Sequence, residues 1–151
     1  MNVDRPRRTA REFFDTNVIV YALAEAGDPE TARKREAARR TLVAAASRKR
    51  AAVSAQVLGE AFVTLVRKGV APMTPAVAAE HLRGIASLRV VPITGELVFR
   101  AIEIQGEHQL SYWDALIVAA AEGTGCETLW SEDLSDGRAY GSVTVRNPFR
   151  R

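Results

Sequence analysis

Short apolar runs alternate with capped helical segments from Glu12 to the end of the chain, and this alternation constrains the fold more than any other feature. Runs at Glu12–Phe14, Ala51–Ser54, Arg89–Ile93, Glu127–Ser131 and Val143–Val145 have the composition of strands bounded by polar or turn-forming residues. The helices between them have legible starts. Asp28-Pro29 and Thr74-Pro75 each set a capping oxygen before a proline suited to the first helical position. Ser54, Thr94 and Ser111 cap the segments after them, and a short helix is predicted over Asn17–Ala24. The helices are expected to stop near Ser47, Lys68 before Gly69, Ser87, Gly106 and Gly123-Thr124-Gly125. Strands separated by helices favour crossovers and parallel pairing, so the predicted class is α/β with a mostly parallel central sheet flanked by helices. Val143–Val145 is expected at the sheet's edge.

A chain of 151 residues with no repeat and no linker fits one domain, expected over 12–151, after a basic arm over 1–11 that carries Arg5, Arg7, Arg8 and Arg11. No apolar run reaches the roughly 18 residues of a membrane span, and no hydrophobic segment of signal-peptide length follows the arginines. Cys126 is the single cysteine, so no internal disulfide forms and a cytoplasmic location is expected. The net charge of +3 and pI near 9.4 mildly favour a polyanionic partner. Between Arg33 and Arg50 eight Lys or Arg residues face one acid, Glu36. That density reads as a solvated helix face more readily than as an RNA groove.

Four acids fall where strands end or helices begin. In an open parallel sheet, ligands gather beyond the carboxyl ends of the strands, and there a carboxylate faces a crevice. Asp15 follows Phe13-Phe14 directly. It suits a helix cap, and with Thr16 and Asn17 it also sets three oxygen-bearing side chains at a strand's end, able to hold a hard cation and its waters. Glu60 lies opposite Leu58, Phe62 and Leu65 on its helix, beside Gln56, on a wet face that matters only if it lines the crevice. Asp114 completes a capping-box pattern with Ser111, and the same first-turn position points a carboxylate out of the helix N-terminus. Asp133 lies just past the last buried strand. If that strand continues, Glu132 and Asp133 face opposite ways, so Asp133 is assigned to the crevice with Ser131 as its helper. Asp136 reads as an outer ligand or as a turn former before Gly137.

Convergence of these acids would restrict the chemistry. Two carboxylates ~4 Å apart repel by about 4 kcal/mol at an effective dielectric near 20. A cluster must therefore bind cations or share protons. An all-oxygen set suits Mg²⁺ or Mn²⁺, whereas zinc lacks ligands, because Cys126, His81 and His108 have no metal-binding spacing. A Mg²⁺–carboxylate crevice in a basic protein points to hydrolysis of a phosphodiester, with metal-activated water as nucleophile. Tyr112 and Trp113, beside Asp114, can stack on a base but are expected as core or dimer contacts, and Trp130 as core.

Five segments carry a family resemblance: Phe14-Asp15-Thr16-Asn17, Ala55–Glu60, Leu110–Ile117 with Asp114 inside it, Leu129–Leu134, and Asn147-Pro148-Phe149. In this order and spacing the chain resembles the PIN-domain proteins, and among them the VapC toxins of type II toxin–antitoxin modules. The resemblance spans nearly everything after the basic arm. It implies a PIN-like three-layer sandwich whose catalytic acids match Asp15, Glu60, Asp114 and Asp133, with metal held at Asp15, Asp114 and Asp133. Asn17, Thr16 and Ser131 take the supporting positions. It further implies a Mg²⁺-dependent endoribonuclease acting on an RNA substrate, a homodimer, and a cognate antitoxin that occludes the site. A non-catalytic module that keeps the fold and binds RNA or protein is the alternative. Phosphoryl transfer to aspartate would require a second acid where Asn17 stands; a receiver domain would require a lysine after a late strand; and a dinucleotide fold would require a glycine-rich turn after the first strand.

Overall fold

The computed structural model describes residues 11–67 and 72–150. Residues 1–10 of the expected basic arm over 1–11, and the stop at Gly69, lie outside them. In chain order the elements are β1 (Glu12–Phe14), α1 (Thr16–Leu23), α2 (Pro29–Ser47), β2 (Ala51–Ser54), α3 (Ala55–Arg67), α4 (Pro75–Ile85), β3 (Arg89–Val91), α5 (Gly95–His108), α6 (Tyr112–Gly123), β4 (Thr128–Trp130), β5 (Ala139–Tyr140) and β6 (Val143–Arg146).

The strands form one sheet in the order β3-β2-β1-β4-β6-β5. Every neighbouring pair is parallel except β5 with β6. From β1 the chain steps outward to β2 and β3, then crosses back to β4 on the other side of β1. Right-handed crossovers made in opposite directions put their helices on opposite faces of a sheet. The helix contacts fall into the same two groups: α1 packs on α2 and α3, and α3 on α4, while α5 packs on α6. The predicted α/β sandwich is the architecture found.

β1 runs through the centre of the sheet, so both of its faces are covered. Phe13 and Phe14 point to opposite faces and neither has any exposed surface. All of β2 is buried too. On one face, α6 presses Ala115–Ala121 into the core without a break, a run so rich in alanine that helix and sheet can approach closely.

The start signals hold: Asp28, Thr74, Thr94 and Ser111 each accept a hydrogen bond from a backbone N–H of the first turn. Some boundaries differ. β3 ends at Val91 because Pro92 has no N–H for the ladder. α5 runs through Gly106 and stops where Gln109 turns left-handed at φ 55°. The predicted edge strand β6 is internal. Gly141, at φ 59°, turns the chain between Tyr140 and Val143, and the two-residue β5 takes the edge. Asp136 is a turn former and tail clamp, accepting from Asn147 N–H at 2.8 Å and from Arg150 at 3.1 Å. It does not line the cleft described below.

The basic face of α2 is only partly solvated. Arg39 donates to the Ala22 carbonyl (2.7 Å), Arg33 to the Phe149 carbonyl (3.1 Å), and Lys34 pairs with Glu132. Three of its cations are thus spent tying α2 to the rest of the chain.

Candidate active site

The order β3-β2-β1-β4 reverses direction at β1, so the carboxyl ends of β1 and β4 open a crevice between diverging connections, where open α/β sheets bind ligands. Asp15 is the first residue past β1 and Ser131 the first past β4. Their strands run side by side, with Phe14 opposite Trp130 and the Asp15 N–H bonded to the Trp130 carbonyl at 2.9 Å.

Asp15 is 5% exposed and caps α1, its Oδ1 accepting from Thr16 N–H at 2.7 Å. Its Oδ2 accepts from the buried Ser131 hydroxyl at 2.7 Å. These bonds favour the carboxylate, but burial outweighs them and, with Asp133 and Asp114 nearby, pushes the group up to about 6. The Ser131 oxygen also accepts from Leu134 N–H at 3.3 Å, so one hydroxyl sets both the acid and the turn after β4. Ser131→Ala is expected to cost roughly 1–3 kcal/mol at neutral pH, because it strips a donor from a buried carboxylate. Urea unfolding at pH 7 measures this, and an unchanged midpoint would deny the hydroxyl that role.

The remaining acids approach from three other elements. Asp15, Glu60, Asp114 and Asp133 line one cleft of about 380 Å³, with Thr16, Asn17, Tyr21, Gln56, Trp113 and Glu132 among the other walls. Glu60 is on α3, whose buried stripe is Val57, Ala61 and Leu65 with Leu58 and Phe62 half-buried beside it. The wet face opposite is the cleft wall. There Glu60 accepts from the Thr16 hydroxyl at 3.0 Å and from Gln56 Nε2 at 2.6 Å. Asp114 takes the cleft-facing role of the two foreseen for it, and of the capping box only the half that Ser111 supplies is formed. Its N–H bonds to Ser111 Oγ at 3.1 Å, as a capping turn requires, and its carboxylate faces the cleft. Partial burial raises its proton affinity against the pull of Ser111, and Asp133 and Glu60 add to the rise.

The expected separation of Glu132 from Asp133 fails. The strand ends at Trp130, the chain then turns, and both side chains line the cleft. Glu132 is paired with Lys34, whose ammonium sits 5.1 Å from the Tyr21 ring centre. Its backbone N–H donates to Asn17 Oδ1 at 3.3 Å, leaving Asn17 Nδ2 buried without a partner. Thr16 and Asn17 therefore act first as struts, one for Glu60 and one for the turn carrying Asp133. Lys34 had no local signal, being on a different helix far away in sequence. Gln56 did: it stands four residues before Glu60, the spacing at which helix side chains meet. Trp113 is not core; it is 62% exposed at the cleft. Trp130 packs against the core and donates its Nε1–H to Glu12 at 3.0 Å.

Among the described residues no three His, Cys, Asp or Glu side chains come together as a ready-made metal cage. The acids ring a cleft instead of meeting at a point, and Cys126 is buried away from it. This donor set fits a hydrated hard cation. Mg²⁺ gives up its waters reluctantly and is commonly held by one or two carboxylates plus water. Burial first, and then the neighbouring carboxylates, with Asp133 common to both, raise Asp15 and Asp114, a penalty that such a charge would relieve.

A parallel sheet with carboxylates collected at its switch point defines a class of acid-lined, sheet-end sites. Residues 13–135 match the family model of the PIN domain, and the chain belongs to that family. Similar solved structures include Mycobacterium tuberculosis VapC20, described as a sarcin–ricin loop cleaving toxin (24% identity, 81% of this chain and 89% of that one, TM-score 0.62). A toxin–antitoxin complex from Klebsiella pneumoniae is similar at 18% identity over 91% and 97% of the two chains, TM-score 0.67. FitAcB from Neisseria gonorrhoeae is similar at 19% over 93% and 99%, TM-score 0.63. At these identities the likeness is one of fold. No curated protein matches the chain in sequence. No helix among the described residues is long and apolar enough to cross a membrane.

Proposed function

We propose that this PIN-domain protein is the toxin of a toxin–antitoxin module and a Mg²⁺-dependent endoribonuclease, with Mn²⁺ able to substitute. The observation that carries the reading is the gathering of Asp15, Glu60, Asp114 and Asp133, from four separate segments, around one cleft at the sheet's switch point. Asp15, Asp114 and Asp133 would hold the ion, which when bound supplies charge neutralisation and an acidified water. Asp15 is fixed at the floor by Ser131 and Thr16, so its oxygens keep one orientation. Glu60, held by Thr16 and Gln56 on the α3 wall, is placed to orient the attacking water and take its proton. The cut RNA, a homodimeric state, a cytoplasmic location and a cognate antitoxin protein that covers the cleft belong to the same reading. The toxin–antitoxin complex and the loop-cleaving toxin among the similar structures support it.

The test is incubation of the purified protein with cellular RNA in Mg²⁺, in Mn²⁺ and in EDTA, followed by mapping of the new ends. Cleavage in either metal and none in EDTA is expected. RNA that is bound but stays whole in all three would favour the non-catalytic module. The toxin role predicts growth arrest on induction, relieved by co-expression of the cognate antitoxin.

A further inference from the structure

Among the described residues seven large apolar side chains are exposed, and of these Trp113 alone lines the acidic cleft; Val43, Val63, Val77, Ile93, Phe99 and Ile102 lie elsewhere. Scattered exposed apolar residues are ordinary, so exposure by itself says little. The mounting of this ring says more. Trp113 is in the first turn of α6, whose next seven residues, Ala115–Ala121 after Asp114, are sunk in the core, so the backbone beneath it is rigid. Its carbonyl accepts from Gln56 Nε2 at 3.2 Å, and the same amide nitrogen donates to Glu60. The Tyr112 ring, packed against the core, braces the indole edge-on at 5.0 Å and 70°. A flat aromatic face is thus braced in the same cleft that Glu60 and Asp114 line, a cleft otherwise suited to phosphate and cation.

We infer that the Trp113 indole is the platform on which an unpaired base beside the scissile phosphate stacks, so that this ring positions the strand for the cut. This rests on the nuclease reading above and adds a substrate-positioning residue to it. A base can lay its face on a side chain only after leaving its own stack, which a paired duplex resists and a loop or single strand does not. Stacking is tolerant of base identity, so Trp113 selects strandedness and leaves sequence to other contacts.

The experiment measures binding of a short mixed-sequence oligoribonucleotide, single-stranded or annealed to its complement, with Ca²⁺ in place of Mg²⁺ and strand integrity checked on a gel. Trp113→Ala is expected to weaken single-strand binding on the order of 5- to 100-fold, and Trp113→Phe to keep most of it. Duplex binding should be weak and indifferent to either change. The single strand should quench wild-type tryptophan fluorescence, and that quench should vanish in Trp113→Phe, where only the partly buried Trp130 emits. Equal affinity of Trp113→Ala and wild type would overturn the inference. So would an equal fall for duplex, or a change of oligomeric state without a change of RNA affinity, which would assign the ring to a second copy of the chain. If wild type cuts RNA in Mg²⁺ and Trp113→Ala cuts it with the same KM, the platform falls and the nuclease stands. A protein that neither cuts nor binds loses both.

Discussion

Asp15→Asn yields a protein that melts higher than wild type in EDTA above pH 6 and no longer cuts RNA in Mg²⁺. The two halves share one cause. The wild-type carboxyl is buried beside Asp114 and Asp133, and its folded-state value of about 6 stands above the 3.8 of the unfolded chain. A group raised in this sense lends its full stability below pH 3.8 and loses it as pH climbs through 6. The change corresponds to roughly 3 kcal/mol. For a chain of this size that is up to about 6–12 °C in Tm. Asparagine carries no charge to bury, accepts from Thr16 N–H as the aspartate does, and is as good a helix cap. The difference in Tm between variant and wild type should therefore be small at pH 4 and grow across the window to pH 6. A variant that melts lower than wild type at pH 7.5 would mean that the buried charge is not the burden described. Cleavage should fall to the background of the assay, and a variant that cuts as well as wild type would remove Asp15 from the chemistry.

Mg²⁺ should reverse the same penalty. An ion that binds the folded state and not the unfolded one adds RT ln(1 + [L]/Kd), about 2.7 kcal/mol at one hundred times Kd. Wild-type Tm near pH 7 should then rise by roughly 5–10 °C at saturation, and the fall between pH 4 and 6 should flatten because bound metal keeps Asp15 ionised. Asp15→Asn should respond much less. Differential scanning fluorimetry across a Mg²⁺ series at pH 5 and pH 7.5 separates the cases. Equal rises in both proteins would place the ion away from Asp15; no rise in wild type would remove the metal from the proposal.

The alternation of strands and helices, their capping residues and the position of Asp15 were legible in the linear chain. Each is a local matter, settled by a proline after a capping oxygen or by two phenylalanines before an acid. Glu60 was legible as an exposed residue on a helix, but nothing local said which neighbour that face would meet. The orientation of α3 across the sheet turned it into a cleft wall. Ala139–Tyr140 was too short to show an alternating pattern, and only its turn, Gly141-Ser142, hinted at the hairpin that made β6 internal. Glu132 was assigned away from the site because a continuing strand would have turned it outward; the chain bends after Trp130, and alternation ceases to apply.

What the sequence determined by itself is therefore the class of fold and the kinds of group available: capped helices, buried strands, acids at their ends. The tertiary structure alone decided which groups share a space. Lys34 found Glu132, Ser131 found Asp15, and Trp113 was left facing the cleft, because the return crossover from β3 to β4 lays the two ends of the chain side by side at β1. Caps and periodicity act over a few residues, whereas that juxtaposition is fixed by the packing of the whole sheet.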